Sequence, residues 1–312
     1  CVRPRMSHYK DVSKEVFAVF RDITPVIQGL SLDEAFLDVT DVVHLHPSAR
    51  ALARTIKDRV REQTALTVSV GGGPNKLVAK IASDLQKPDG LCLVAERDVQ
   101  RTLDPLEATV IPGVGPKTAI RLTKAGIRTI RELRTASVAR LRPVFGRYAE
   151  RMIERASGID HRPVIAYADD KSISTEQTFS DDVTDAADMR GHIRRMAEKV
   201  AERIRHKNLN ARVVRVKIRT PDFRTVTRQQ ALQPPSHDTK VFGDVAARLL
   251  DQWLNAHPDA SVRLLGVGGG GLAEAQQMSL FAEPGDAIDA AVDEVRERFG
   301  PDSLKRGSRL NE

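Results

Sequence analysis

Asp33 and Glu34 stand side by side in GLSLDEAFLDV (residues 29–39), a stretch that is otherwise mostly apolar. Adjacent carboxylates repel each other and are costly to bury without partners. They suit a hard divalent cation: Mg²⁺ takes oxygen ligands and leaves coordination positions for phosphates. A pair of such ions can clamp the attacking and leaving oxygens of an in-line phosphoryl transfer. Two solvated acids at the tip of a hairpin are the plainer reading, and the dipeptide alone favours it. The stretch SVGGGPNKLVAKIASDLQKPDGL (69–91) shifts the balance. Its glycines permit a tight turn after a strand. Lys76, Lys80 and Lys87 then project from a helix and the loop beyond it, as cations placed to meet a triphosphate. Each lysine taken singly fits a solvated helix face equally well. The glycine spacing is not that of a Walker loop, and no Gly-Lys-Ser/Thr occurs.

Two further stretches carry binding chemistry. In VIPGVGPKTAIRLTKAGIRTIREL (110–133), Gly113 and Gly115 form a turn directly before a helical pattern. A helix start of this kind offers free N–H groups and the positive end of the helix dipole to a phosphate, and Lys117 and Lys124 add charge. The pattern is similar to a helix-hairpin-helix, which grips the nucleic-acid backbone without reading bases. A plain αα-hairpin is the alternative. In QQMSLF (276–281), Gln277, Met278, Leu280 and Phe281 have the form of a docking peptide for a groove on a partner; a loop covering the core is an equal alternative.

The elements around these residues follow from periodicity and turn chemistry. Before residue 95 the pattern is mixed: helices over SKEVFAVFRDI, SARALARTIKDRVREQT and NKLVAKIASDLQ, and strands at EAFLDV and LTVSVG. Residues 96–165 read as short helices punctuated by Gly and Pro, and PVIAYADDKS reads as a linker. MRGHIRRMAEKVAERIRHKNL places Ile193, Met196, Val200 and Ile204 on one helical stripe. ARVVRVKIRTPDFRTVTRQQAL reads as two strands about Pro221-Asp222, with Val214, Val216 and Ile218 facing a core and Arg215, Lys217 and Arg219 facing out. GVGGGGLAEAQQMSLFAEPGD is Gly-rich and is expected to be a flexible tether. A last helix from roughly Asp286 to Phe299 carries Ile288, Val292, Val295 and Phe299 on one stripe.

The 312 residues carry 49 Lys and Arg against 42 Asp and Glu, a formal charge of +7. That modest excess is concentrated: from Arg190 to Arg228 there are thirteen Lys/Arg and three Asp/Glu. A polyanionic partner is the functional reading and a solvated basic face the bland one. Two cysteines, Cys1 and Cys92, exclude a disulfide framework and a zinc cluster. No stretch has the length of a membrane span and no secretory signal opens the chain, so a cytoplasmic location is expected.

Taken in order, the motifs resemble those of the Y-family, or translesion, DNA polymerases. Ser31-Leu32-Asp33-Glu34-Ala35 is similar to the family's signature, and Ser69–Ser83 with Lys87-Pro88-Asp89-Gly90 to its second palm block. The Pro112–Gly115 turn resembles the thumb. DDKSISTEQTF, VVRVKIRTPDFRTVTR and VRLLGVG resemble the little finger, and QMSLF resembles the sliding-clamp peptide of bacterial members. The resemblance implies an α+β multidomain chain. Its parts would be a partial palm of mixed sheet and helices (1–95), a helical thumb with a helix-hairpin-helix (96–165), an α/β little finger (170–270) and a flexible C-terminal tail (271–312). It implies template-directed, error-prone DNA synthesis past damage by two-metal phosphoryl transfer, with Asp33 and Glu34 as the catalytic, metal-binding carboxylates, Glu34 near the primer 3′-oxygen, and two Mg²⁺ ions in the complete enzyme. Lys87 would contact the triphosphate. Gly113, Gly115, Lys117, Ser172, Ser174, Arg224, Thr225, Thr227, Arg228 and Arg263 would contact the DNA backbone. The partners implied are primer-template DNA, deoxynucleoside triphosphates and the sliding clamp, with no membrane, for a protein acting as a monomer. The family's first strand, with another catalytic aspartate, and its fingers do not occur after Cys1. An N-terminally truncated chain is therefore expected, and a non-catalytic remnant that binds DNA and the clamp is the alternative function.

Overall fold

The computed structural model describes residues 2–167, 169–274, 284–300 and 303–304. The chain divides into two compact units, Cys1–Ala168 and Asp169–Glu312, a division that falls in the stretch expected to be a linker.

In the first unit, helices α1 (Met6–Ile23) and α2 (Ala49–Thr64) pack together and bury Val19, Leu52, Ala53, Ile56 and Val60. Ser48 caps α2 by accepting from the Ala51 N–H. Strands β1 (Ile27–Gly29) and β2 (Ala35–Leu37) form an antiparallel hairpin. Strands β3 (Val70–Gly72) and β4 (Leu91–Leu93) form a parallel pair joined through helix α3 (Lys76–Leu85). Gly71 fixes how closely α3 lies on β3: a Cβ there would stand 2.1 Å from the Ser83 nitrogen and 2.3 Å from the Ala79 oxygen. Only a residue without a side chain permits that approach. Asn75 starts α3 by accepting from the Val78 N–H and ties it to the helical part through Nδ2 to the Gly158 carbonyl, 2.7 Å.

The helical part comprises α4 (Val99–Leu103), α5 (Pro116–Lys124), α6 (Ile130–Thr135), α7 (Val138–Phe145) and α8 (Ala149–Ala156). A single core runs from Leu77, Val78 and Ile81 of α3 through Leu103, Leu122, Ile130, Leu133 and Leu141 to Ala156. Thr129 and Glu132 form a reciprocal capping box at the start of α6.

The second unit is a sheet with helices packed on it. Strands β5 (Ser172–Val183), β6 (Leu209–Arg219), β7 (Thr225–Ser236) and β8 (Val262–Gly270) lie in the order β5-β8-β6-β7, all antiparallel, and the short β9 (Ala273–Glu274) pairs with the start of β6. Helices α9 (Ala186–Arg205) and α10 (Thr239–Asn255) pack on each other and on the sheet. Met189, Ile193, Met196, Val200 and Ile204 are buried against Val214, Val216, Ile218, Leu265 and Val267, as the helical stripe and the strand alternation require.

One expectation is corrected here. Gly266–Gly270 is not tether; it is the second half of a central strand with neighbours on both sides. Close contacts on both faces select the glycines. A Cβ at Gly269 would stand 2.6 Å from Ile204 Cδ1, and one at Gly266 2.8 Å from Glu176 Cγ. The apolar stripe of the last helix, α11 (Pro284–Phe299), is not a continuous buried face: Val292 is buried but Ile288 and Phe299 are exposed, and Asp289 and Arg296 are buried beside Val292. Charge places it instead. Arg205 reaches Asp289 at 2.9 Å and Asp293 at 2.7 Å, and Arg296 reaches Glu198 at 2.7 Å.

Candidate active site and nucleic-acid interface

Asp33 and Glu34 close the β1–β2 hairpin. The Leu30 and Ser31 amides both donate to the Glu34 carbonyl, which makes a narrow loop, and the Ser13 hydroxyl of α1 donates to the Leu32 carbonyl at 2.6 Å. Asp33 is exposed and its Oδ1 accepts the Ser31 hydroxyl at 2.6 Å. Glu34 is half-buried and its Oε1 accepts from Lys80 of α3 at 2.9 Å. The two carboxylates thus take different partners. Lys80 also lies 3.3 Å from Asp84, whose other oxygen is 2.5 Å from Lys87. Glu34, Lys80, Asp84 and Lys87 therefore form a row of alternating charge running from the hairpin along α3. Burial pushes the Lys80 ammonium down, but the Glu34 hydrogen bond and Asp84 outweigh it and leave its pKa raised. Burial pushes the Asp84 carboxyl up, and Lys87 and Lys80 overcome that and hold it below the usual value.

Of the three lysines expected to project, Lys80 and Lys87 reach this row. Lys76 does not: it is 8% exposed, donates to Gln28 Oε1 at 2.9 Å and lies over the Phe36 ring. Burial and the nearby Arg162 lower its pKa. The close packing of α3 on β3 at Gly71 turns this helix's first residue inward. Among the described residues, no group of three or more His, Cys, Asp and Glu is placed to hold a metal ion. The Asp33–Glu34 pair still suits Mg²⁺, which is commonly held by one or two carboxylates and completed by substrate phosphates and water.

At the helix-hairpin-helix, Gly113 has a φ of +97° and Gly115 caps α5, with Pro116 in the first turn. The start of this helix offers fewer donors than the sequence suggests. Pro116 carries no N–H, and the Thr118 and Ala119 amides both close on the Gly115 carbonyl. Charge compensates. Lys117 is exposed, and a Cβ at Gly113 would stand 3.8 Å from Arg155 Nη1, so the α8 guanidinium flanks the turn. Burial and Arg162 push the Arg155 pKa down. Arg155 lies forty-two residues beyond Gly113 in sequence, and no local pattern points to it.

In the second unit, register settles which side chains share the face away from the helices. Ser174, Gly268, Arg215 and Gln229 form one row across the sheet; Glu176, Gly266, Lys217 and Thr227 form the next. Ser172, Ser174, Glu176, Arg215, Lys217 and Thr227 line a groove of about 330 Å³ whose floor is the bare backbone of Gly266–Gly269. Ser172, Ser174, Thr225 and Thr227 all belong to this face, and Arg219 donates to Thr225 Oγ1 at 2.9 Å. Arg228 does not belong to it. It is paired with the core residue Val216, so the two-residue period turns it to the side that carries the helices. Arg224 is exposed in the β6–β7 turn, and Arg263 stacks on Phe223 of that turn, 5.0 Å from the ring centre. Gln277, Met278, Leu280 and Phe281 lie outside the described residues. Among the described residues, no helix is long and apolar enough to cross a membrane.

Comparison with known proteins agrees with this arrangement. The model of the impB/mucB/samB family matches residues 1–84, a SAM-like helix-hairpin-helix tandem matches 106–159, and the impB/mucB/samB family C-terminal domain matches 170–280. The chain is 38% identical over 285 residues to the DNA polymerase IV of Alkalilimnicola ehrlichii, covering 90% of this chain and 79% of that one. It is 36% identical over 295 residues to the DNA polymerase IV of Streptomyces coelicolor, covering 93% of this chain and 61% of that one, so it spans less than two thirds of that relative. Among solved structures, a Y-family DNA polymerase chimera of Dbh and Dpo4 matches with a TM-score of 0.77 at 26% identity, over 86% of this chain and 78% of that one. An insertion ternary complex of Dbh DNA polymerase matches with a TM-score of 0.61 at 25% identity over the same shares. With palm, helix-hairpin-helix thumb and little finger matched in order, the chain belongs to the Y-family of DNA polymerases, in the group named DNA polymerase IV.

Proposed function

We propose that the chain carries out template-directed DNA synthesis of the translesion type, on primer-template DNA and deoxynucleoside triphosphates, with Mg²⁺ at Asp33 and Glu34. The row Glu34–Lys80–Asp84–Lys87 supports this most directly, because it sets two carboxylates and two exchangeable ammonium groups along one edge of α3. Bound Mg²⁺ would supply charge stabilisation of the attacking and leaving oxygens. The chain's own residues do the rest. Asp33 and Glu34 provide hard oxygen ligands. Lys87 releases Asp84 to take a triphosphate oxygen, and Lys80 holds the Glu34 carboxylate in place through its 2.9 Å hydrogen bond. The Gly113–Lys117 turn, with Arg155, grips a phosphodiester without reading sequence. Ser172, Ser174, Arg215, Thr225 and Thr227 present the little-finger face to the DNA backbone, with Arg224 and Arg263 near its turn. Gln277, Met278, Leu280 and Phe281 would engage the sliding clamp, and the protein would act as a monomer.

One observation favours a second reading. With only two acidic ligands together among the described residues, a chain that binds DNA and the clamp without making product is the alternative. Primer extension with Mg²⁺, read beside DNA binding, separates the two: extension that Asp33→Ala abolishes supports polymerase activity, and binding without extension supports the alternative.

A further inference from the structure

The little-finger groove contains an acid that its proposed use does not call for. Glu176 and Lys217 are both register partners of Gly266, one on each side of it. Their side chains meet across that glycine: Lys217 Nζ lies 2.9 Å from Glu176 Oε1 and 2.8 Å from Oε2. A Cβ at Gly266 would collide with Glu176 Cγ at 2.8 Å, so the bare strand is what lets the carboxylate lie over it. One row along, the arrangement differs. Arg215 reaches Gln229 Oε1 at 3.0 Å, and its guanidinium lies over Gly270 rather than on an acid. The floor is therefore bridged at Gly266 and not at Gly268.

We infer that Glu176 is an internal competitor for phosphate: its ion pair with Lys217 is a displaceable bridge across the glycine floor, which the DNA backbone must open to reach that cation. This rests on the reading of the groove as a DNA-backbone site. A carboxylate and a phosphodiester offer the same kind of acceptor to an ammonium. Both bridge partners are partly exposed, 32% for Lys217 and 40% for Glu176, so the exchange needs no unfolding. The bridge holds the grip on DNA below what the basic face could deliver, which favours release.

The test measures binding of a fluorescent primer-template duplex by anisotropy across a KCl series. The proteins are the unaltered chain, Glu176→Gln, Lys217→Met and the double variant. Glu176→Gln keeps shape and hydrogen-bonding capacity while removing the charge. It should tighten binding roughly five- to tenfold near 0.1 M salt and steepen the log–log salt slope by about 0.9, the increment for one added phosphate contact. In the Lys217→Met background the same change should do nothing. No tightening in Glu176→Gln, or equal tightening with and without Lys217, overturns the bridge; the latter would make Glu176 a general repulsive charge. Salt-insensitive binding by the unaltered chain would instead overturn the underlying groove assignment.

Discussion

Replacing Gly269 by alanine adds one methyl group and separates two physical pictures by its effect on stability. In a flexible glycine tether, Gly→Ala leaves stability nearly unchanged, because it restricts the segment equally in the folded and the unfolded chain. In the structure, Gly269 lies on β8 with its missing side chain aimed between the helices. The added Cβ would stand 2.6 Å from Ile204 Cδ1, 3.2 Å from the Ala211 Cβ and 3.2 Å from Phe242 Cζ. All three neighbours are fully buried, so none can swing into solvent, and α9 or the strand must shift. Overpacking of this kind costs about 1–3 kcal/mol. Gly243 is the matched control: it lies within α10, and a Cβ there meets nothing within 4 Å. Gly243→Ala should stabilise by roughly 0.5–1 kcal/mol through helix propensity. Urea unfolding read by the fluorescence of Trp253, which lies in the same core, would report both as midpoint shifts at constant slope. A neutral or stabilising Gly269→Ala would refute the packing argument and restore the tether.

Other consequences are open to measurement. Arg205→Ala removes the guanidinium that ties Asp289 and Asp293 of α11, 2% and 13% exposed, to α9, and should cost about 3–5 kcal/mol; hydrogen exchange should show α11 losing protection first. Lys80→Met frees Glu34 from a half-exposed pair, so stability should fall by only ~0.2–1 kcal/mol, whereas the Mg²⁺ concentration giving half-maximal extension should change. Asp84 has a depressed folded-state pKa, so its stabilisation is present above its unfolded value near 3.8 and is lost as pH falls through the lower folded value. Asp84→Asn should therefore flatten the acid limb of stability below about pH 4 in a pH-dependent melting series.

Local signals were legible in the sequence wherever one element determines its own face. The α9 stripe and the Val214–Ile218 alternation depend on periods of 3.6 and 2, and the two meet in one core. The glycine turn before α5 has its positive φ because Gly113 tolerates it. What escaped depends on partners distant in sequence. Lys76 turns inward because Gly71 lets α3 lie on β3. The run at 266–270 looks like tether until β5 and β6 supply side chains that fill the space over it. Arg228 reads as one of a basic set with Arg224, but strand parity separates it from Thr225 and Thr227. The terminal helix carries apolar residues at helical spacing, yet Arg205 and Arg296 draw in its polar side. Arg155, Glu176 and the Glu34–Lys80 pair follow from tertiary contacts alone.

The most direct test of the central claim is single-turnover primer extension by this chain with Mg²⁺ and all four deoxynucleotides, beside Asp33→Ala and with DNA affinity measured for both. The account predicts extension by the unaltered chain that disappears in Asp33→Ala while DNA affinity stays the same. Extension that survives in Asp33→Ala, or tight DNA binding with no extension by the unaltered chain, would contradict it.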